Sequence, residues 1–136
     1  MRDSLQNYAK LNELNNIKFM KFQNQKKLSK SYQESDVFII PSLFEPWGLT
    51  VNEAMAAENA IISSSAVASS YDLVIDNVNG FKFRNGSSKD LANKIFKIYQ
   101  NKNKIKKFQS NSLNIISKWN FDKCFIGIIK AIKKCR

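Results

Sequence analysis

Two glutamates, Glu45 and Glu53, are the residues of this chain best placed to do chemistry, and seven residues separate them. The apolar run before them, Asp36–Pro41, is typical of a strand covered on both faces in a parallel sheet. After them, Thr50 opens an alanine-rich stretch that predicts a helix. The carboxyl end of a parallel strand followed by a helix start favours phosphate, because free N–H groups and the helix dipole meet there. Gly48 would let a phosphate approach the backbone closely.

The run from Asp36 to Ala56 resembles the donor-binding site of family-4 (group 1) glycosyltransferases, whose two-domain fold is called GT-B. It reads Asp-Val-Phe-Ile-Ile-Pro-Ser-Leu-Phe-Glu-Pro-Trp-Gly-Leu-Thr-Val-Asn-Glu-Ala-Met-Ala. Weaker similarity covers the strand at Asn16–Phe19, the turn at Asn79–Phe81 and the aromatic Trp119 before the last helix. The resemblance implies an α/β domain with a Rossmann-like parallel sheet, flanking helices and a helical C-terminus.

The resemblance also implies a role for each site residue. Glu45 would be the catalytic-site carboxylate, bonding a hydroxyl of the donor sugar and steadying positive charge as its bond to the nucleotide breaks. Glu53 would accept hydrogen bonds from the nucleotide ribose. Backbone amides would face the sugar and the diphosphate, where pre-oriented donors stabilise a charged leaving group. These amides belong to Trp47, Gly48, Leu49 and Thr50.

The family transfers a sugar with retention of anomeric configuration and needs no bound metal. The chain has no Asp-x-Asp pair and no histidine, so neither a metal nor another cofactor is expected. The implied function is transfer of a hexose-type sugar from a nucleotide-sugar to a saccharide or lipid-linked acceptor. Polysaccharide or lipopolysaccharide biosynthesis is the usual setting of such enzymes.

Structural interpretations of the same residues stay open on sequence grounds. Thr50 and Glu53 have the spacing of a capping box, which alone would explain both. Glu45 is also compatible with an ordinary loop acid, and Trp47 with a cover for the sheet edge. At the level of the whole chain, the alternatives are a noncatalytic remnant or interaction module of a glycosyltransferase and, less favoured, a basic nucleic-acid-binding domain.

The composition predicts one globular domain that binds an acidic partner. The chain has 136 residues, 43% of them hydrophobic, and a net charge of +11. Acidic candidates are nucleotide-sugar phosphates, an anionic membrane surface and nucleic acid. Nucleic acid is not expected, because arginine is scarce and no recognised module appears. Lysines on amphipathic helices usually form a solvated face.

No apolar stretch approaches the roughly 18 residues of a membrane span, and the start lacks a secretory core. We therefore expect a cytoplasmic protein, with peripheral contact at the inner face of the cell membrane as a further hypothesis. Cys124 and Cys135 form no Cys-x-x-Cys pair, so the sequence predicts reduced thiols rather than a zinc site or a disulfide.

Alternating periodicities predict a layered α/β order. The predicted strands are 17–22, 36–41, 60–63 and 81–83. The predicted helices are 4–14, 25–34, 50–57, 88–100, 102–116 and 121–134. In the last helix an apolar stripe is formed by Phe121, Cys124, Phe125, Ile128, Ile129 and Ile132. This stripe either packs on the sheet of the chain itself or contacts a partner.

Family features that are missing predict an incomplete enzyme. Residues 1–136 are expected to form a single partial carboxy-terminal domain, without the acceptor-binding amino-terminal domain and without the strand that carries an Arg and a Lys for the diphosphate. Those parts would come from a longer chain or from a partner. Two glycine-containing segments are also replaced, one by Glu58-Asn59-Ala60 and one by Val67-Ala68-Ser69. A lost glycine alters loops that need positive φ or close backbone approach.

Overall fold

A computed structural model describes residues 2–134 as an α/β domain with a parallel three-stranded sheet in the order β1-β2-β3. The strands are β1 (Val37–Ile40), β2 (Ala60–Ser64) and β3 (Gly80–Phe83). The helices are α1 (Arg2–Leu11), α2 (Gln25–Gln33), α3 (Leu49–Ala56), α4 (Ser69–Leu73), α5 (Ser88–Tyr99), α6 (Lys102–Ile116) and α7 (Phe121–Lys134). This arrangement confirms the predicted fold class.

Strand β2 lies at the centre of the sheet and is buried along its whole length. Val37 of β1 lies opposite Ala60, and Ile61 lies opposite Gly80 of β3. Successive side chains of a strand point to opposite faces, so Ile61 and Ile62 belong to two separate cores. Helices α2, α3 and α4 cover the Ile61 face, and α5 covers the Ile62 face. Helix α6 packs on both cores, with its first half on the Ile62 face and its last turn on the Ile61 face. Met55 is fully buried in the first core.

The predicted strand at 17–22 is wrong, because these residues form an extended segment without sheet pairing. Its large apolar side chains lie mostly in solvent, and Phe22 is 98% exposed. A strand requires a neighbour that satisfies its N–H and C=O groups. Within residues 2–134 no strand lies beside this segment.

Helix α7 has no buried residue, so packing of its apolar stripe on the sheet is ruled out for the described part of the chain. Phe121 is 94% exposed, and Phe125, Ile128 and Ile132 are exposed as well. Cys124 on the same helix is a free, exposed thiol, whereas Cys135 lies outside the described residues. The partner-surface interpretation of the stripe stays a prediction.

The two segments without their expected glycines differ in backbone conformation. Glu58 takes a φ of +60° and ends α3, with its N–H donating to the Met55 carbonyl and the Asn59 N–H donating to the Ala54 carbonyl. This is the Schellman pattern, in which glycine is the usual residue. Ala68 instead has right-handed angles of −61° and −43°. Only the first replacement therefore places a side chain in the left-handed region.

Within residues 2–134, no helix combines the length and the apolar character needed to cross a membrane.

Candidate functional site

The loop after β1, residues 41–48, is held against the loop after β2 by backbone hydrogen bonds. The Glu45 N–H donates to the Ala66 carbonyl at 3.1 Å, and the Glu45 carbonyl accepts from Ala68 at 3.1 Å. The Trp47 carbonyl accepts from Ser69 N–H at 3.0 Å. These bonds continue the parallel pairing beyond the end of β1. The position of Glu45 at the carboxyl edge of the sheet is therefore set by the backbone.

The Glu45 side chain is half-buried. Lys30 and Glu34 form the one ion pair within residues 2–134, so the Glu45 carboxylate has no described cation beside it. A carboxylate with free acceptor positions at the mouth of a loop can accept hydrogen bonds from a ligand hydroxyl. The loop-acid interpretation is compatible with this placement too.

Gly48 turns the loop into helix α3 and has a φ of +90°. A Cβ at this position would lie 3.0 Å from the Val67 Cγ1 atom and 3.2 Å from the Glu45 Cγ atom. Both the left-handed conformation and the close contacts require glycine here. Gly48 thus keeps the two loops together directly beside Glu45.

Four consecutive backbone amides at this turn have no acceptor among the described residues. They are the N–H groups of Trp47, Gly48, Leu49 and Thr50, whereas Val51 N–H donates to the Gly48 carbonyl at 2.8 Å. Helix α3 begins at Leu49 with Gly48 as its N-cap, and no side chain caps it. The capping box of Thr50 and Glu53 is therefore wrong, because Thr50 lies inside the first turn. Free amides at a helix start can bind an anion.

Glu53 lies one turn into α3 and contacts α2 rather than the loop. The Tyr32 hydroxyl donates to Glu53 Oε2 over 3.4 Å. Burial raises the pKa of the Tyr32 phenol, and the charge and hydrogen bond of Glu53 raise it further. Both side chains line a cavity of about 320 Å³ between α2 and α3. The described hydrogen bonds do not join Glu53 to Glu45.

The Trp47 indole contacts helix α3 and Trp119. Its Nε1 donates to Asn52 Oδ1 at 3.2 Å, and its ring lies 6.0 Å from the Trp119 ring, centroid to centroid. The indole also packs against the core on the Ile61 face of the sheet. The side chain of Trp47 therefore has a structural role, while its amide remains free.

Asn85, which follows β3, joins the loops of all three strands and was missed by the sequence analysis. Its side-chain amide donates to the Leu43 carbonyl at 3.0 Å, its Oδ1 accepts from Ser64, and its N–H donates to Ser65 Oγ at 3.0 Å. Asn85-Gly86 carries only the signal of a turn. Tyr32 was missed as a site residue for a similar reason, because its helical spacing from Leu28 indicates only a core position.

Within residues 2–134, no group of three or more His, Cys, Asp or Glu side chains is placed to hold a metal ion. The lysine-rich helix α5 lies on the Ile62 face of the sheet, away from α3. Lys94 and Lys97 there approach the Phe81 ring at 5.7 and 6.0 Å.

Known proteins are similar to this chain in sequence and in fold. The sequence is 23% identical over 96% of its length to an uncharacterized glycosyltransferase of Methanocaldococcus jannaschii, and covers 37% of that protein. It is 33% identical to a glycogen synthase of Clostridium beijerinckii over 68% of this chain and 21% of the synthase. The solved structure of Anabaena HepE with UDP-glucose superposes with a TM-score of 0.78 at 24% identity, over 98% of this chain and 36% of HepE.

These comparisons confirm the fold of a GT-B carboxy-terminal domain, and the chain spans only about a third or less of the length of the curated relatives it matches. The profile of the family described as "Glycosyl transferases group 1" matches residues 1–114, which include the three strands and both glutamates. The chain therefore belongs to the group 1 glycosyl transferases.

Proposed function

We propose that this chain binds a nucleotide-sugar donor and supplies the donor half of a retaining hexosyl transfer to a saccharide or lipid-linked acceptor. The carrying observation is the row of four free amides at Trp47–Thr50, directly beside Glu45. Negative charge grows on the diphosphate as the glycosidic bond breaks, and fixed N–H donors stabilise it without reorganisation. No metal is proposed, because the amides can take the place of a cation.

Glu45 is proposed to lie beside the donor sugar, where its carboxylate accepts a hydrogen bond from a hydroxyl and stabilises positive charge at the anomeric carbon. The absence of an ion-pair partner for this carboxylate within residues 2–134 supports that role. Glu53 is proposed to accept from the ribose hydroxyls. It lies on α3 four residues after Leu49, where the helix begins.

UDP is the first nucleotide to test, because HepE was solved with UDP-glucose at the fold matched by this chain. The acceptor site is proposed to lie in a further domain or a partner chain. A lipid-linked acceptor, as used in polysaccharide or lipopolysaccharide assembly, would bring the protein to the inner face of the cell membrane. The net charge of +11 favours contact with anionic lipid there.

The test is calorimetric titration of the folded chain with UDP, GDP and their glucose and mannose conjugates. We expect saturable binding that Glu53→Ala weakens about tenfold or more, because a hydrogen bond to a charged group contributes ~1.5 to 3 kcal/mol. Glu45→Gln is expected to weaken binding of the sugar conjugate and to leave the affinity for the free nucleotide unchanged. Transfer assays with the longer protein then separate a working enzyme from a noncatalytic remnant.

Glu34→Gln is the matched control, since Glu34 is the exposed C-cap of α2 and its carboxylate forms a surface ion pair with Lys30 at 3.6 Å. Equal losses in Glu34→Gln and Glu53→Ala would show that only net charge matters. No binding of any nucleotide to a folded chain would contradict the proposal. Binding of duplex DNA or RNA that Glu45→Gln leaves intact would favour the basic-domain alternative.

A further inference from the structure

We propose that Tyr32 is a positioning residue that holds the Glu53 carboxylate toward the groove between α2 and α3. This inference rests on the proposed function, in which Glu53 accepts from the ribose of the nucleotide. Tyr32 itself does not touch the ligand in this proposal. It determines where the carboxylate of Glu53 lies before the ligand arrives.

The position of the Tyr32 ring is set by the core. The residue is 7% exposed, and its ring contacts Phe38 of β1 edge to face, with centroids 5.5 Å apart and planes at 83°. The backbone carbonyl of Tyr32 also accepts a hydrogen bond from the buried Asn59 amide at 2.8 Å. Strand β1 and the turn after α3 thus hold Tyr32 from two sides, so its hydroxyl is a fixed reference point.

Glu53, in contrast, has no other described side-chain partner. Its three side-chain torsions would otherwise leave the carboxylate free to rotate on the surface of α3, and ordering it on binding would lower affinity. The Tyr32 hydroxyl donates to Oε2, which leaves Oε1 and the second lone pair of Oε2 free to accept. A ribose has two neighbouring hydroxyl donors, so this arrangement suits a vicinal diol.

The separation of 3.4 Å is longer than the 2.7 to 2.8 Å usual for O–H···O bonds. Hydrogen bonds of this kind are often long without ligand and tighten in the complex. The remaining residues that line the groove are Gln25, Leu28, Ser29, Gln33, Ala56 and Ala57, none of which titrates. Among the groove residues, Tyr32 is therefore the one whose pKa depends on the charge of Glu53.

The decisive experiment compares UDP with 2′,3′-dideoxy-UDP on the wild-type chain and on Tyr32→Phe. The variant keeps the ring and removes only the hydroxyl. We expect UDP to bind about threefold to tenfold more weakly to Tyr32→Phe, and the dideoxy nucleotide to bind both proteins alike. Tyr99→Phe, which removes an exposed hydroxyl on α5, is the control and is expected to leave both affinities unchanged.

Equal losses of affinity for both nucleotides in Tyr32→Phe would overturn the proposal, because they would indicate a general structural role. An unchanged affinity for both nucleotides would overturn it as well. If Glu53→Ala weakens UDP binding but Tyr32→Phe does not, this inference is refuted and the proposed function is not. A folded chain that binds no nucleotide would refute the proposed function and this inference with it.

A second measurement needs no ligand. The Tyr32 phenol titrates above its ordinary pKa because of burial and the Glu53 charge. Glu53→Gln is expected to lower the Tyr32 pKa toward its ordinary value of 10.0 without reaching it, because burial persists. A Tyr32 pKa that does not change in this variant would show that the hydroxyl and the carboxylate are not in contact, which would overturn the proposal.

Discussion

Strand β2 and helix α7 are both strongly apolar segments, yet the structure buries one and leaves the other in solvent. All five residues of β2 are buried between two layers of helices. None of the 14 residues of α7 is buried. The apolar period of a segment thus predicts that one of its faces can be covered, but it does not identify what covers it.

The difference has a physical origin in the neighbours of each segment. Helices α3 and α6 carry apolar faces that match the two faces of β2, so burial there needs only this chain. Helix α7 meets the rest of the domain at its first turn, where Phe121 and Cys124 border a groove with Leu49 of α3 and Trp119. No residue of the stripe beyond that turn is buried, and its partner stays a prediction.

The largest expected effect comes from placing a methyl group in the sheet. A Cβ on Gly80 would lie 1.7 Å from the Ile61 carbonyl oxygen, which is impossible without separating β3 from β2. Gly80→Ala is therefore expected to lose more than the ~3 to 5 kcal/mol typical of a large core truncation, or to prevent folding. Circular dichroism during urea unfolding measures this.

Gly127→Ala in α7 is the matched control, because a Cβ there meets nothing within 4 Å. It is expected to leave the unfolding of the sheet within about 0.5 kcal/mol of wild type while raising helix content slightly. A large destabilisation by Gly127→Ala would show that α7 packs on this chain in solution, and the contrast between the two segments would fail.

The next largest effect is expected from truncating an aromatic side chain in the core, compared with one on α7. Phe108 on α6 is 1% exposed and packs edge to face on Phe81, so Phe108→Ala is expected to lower the free energy of unfolding by ~3 to 5 kcal/mol. Phe125→Ala on α7 is expected to change it by less than about 0.5 kcal/mol. Similar losses from the two truncations, measured in the same denaturant series, would contradict the comparison.

The smallest effect concerns the turn between α3 and β2. Glu58→Gly is expected to raise the free energy of unfolding by about 1 kcal/mol, because a side chain in the left-handed region costs ~1 to 2 kcal/mol and glycine relieves this cost while losing chain entropy on folding. Thermal unfolding monitors the gain. Glu58→Ala serves as the control, since it removes the carboxylate but keeps the strained φ. If alanine stabilised as much as glycine, charge rather than backbone strain would be the cause.

The sequence predicted most helices and the paired strands of this fold well, but not the unpaired segment 17–22 or the short helix α4. The β1 and β2 strands and the helices α2, α3, α5, α6 and α7 lie within a few residues of their expected positions. The strand prediction at 17–22 failed because the apolar pattern of these residues is typical of a strand, whereas strand pairing also requires a neighbouring strand. The helix start at Gly48 was predicted at Thr50, because a capping box is a local pattern and the packing of Val67 on Gly48 is not.

The sequence by itself determined the family and the α/β class, because these depend on residue types at short spacing, and it predicted the two glutamates as site residues. Only the tertiary structure decided what the glutamates contact. Tyr32 meets Glu53 across 21 positions, and Asn85 reaches Leu43 across 42. It also decided that four amides at Trp47–Thr50 stay free, since the loop after β2 pairs with carbonyl and amide groups at Glu45 and leaves the next turn unpaired. Such contacts follow from how helices and loops pack over the sheet, and no local pattern encodes them.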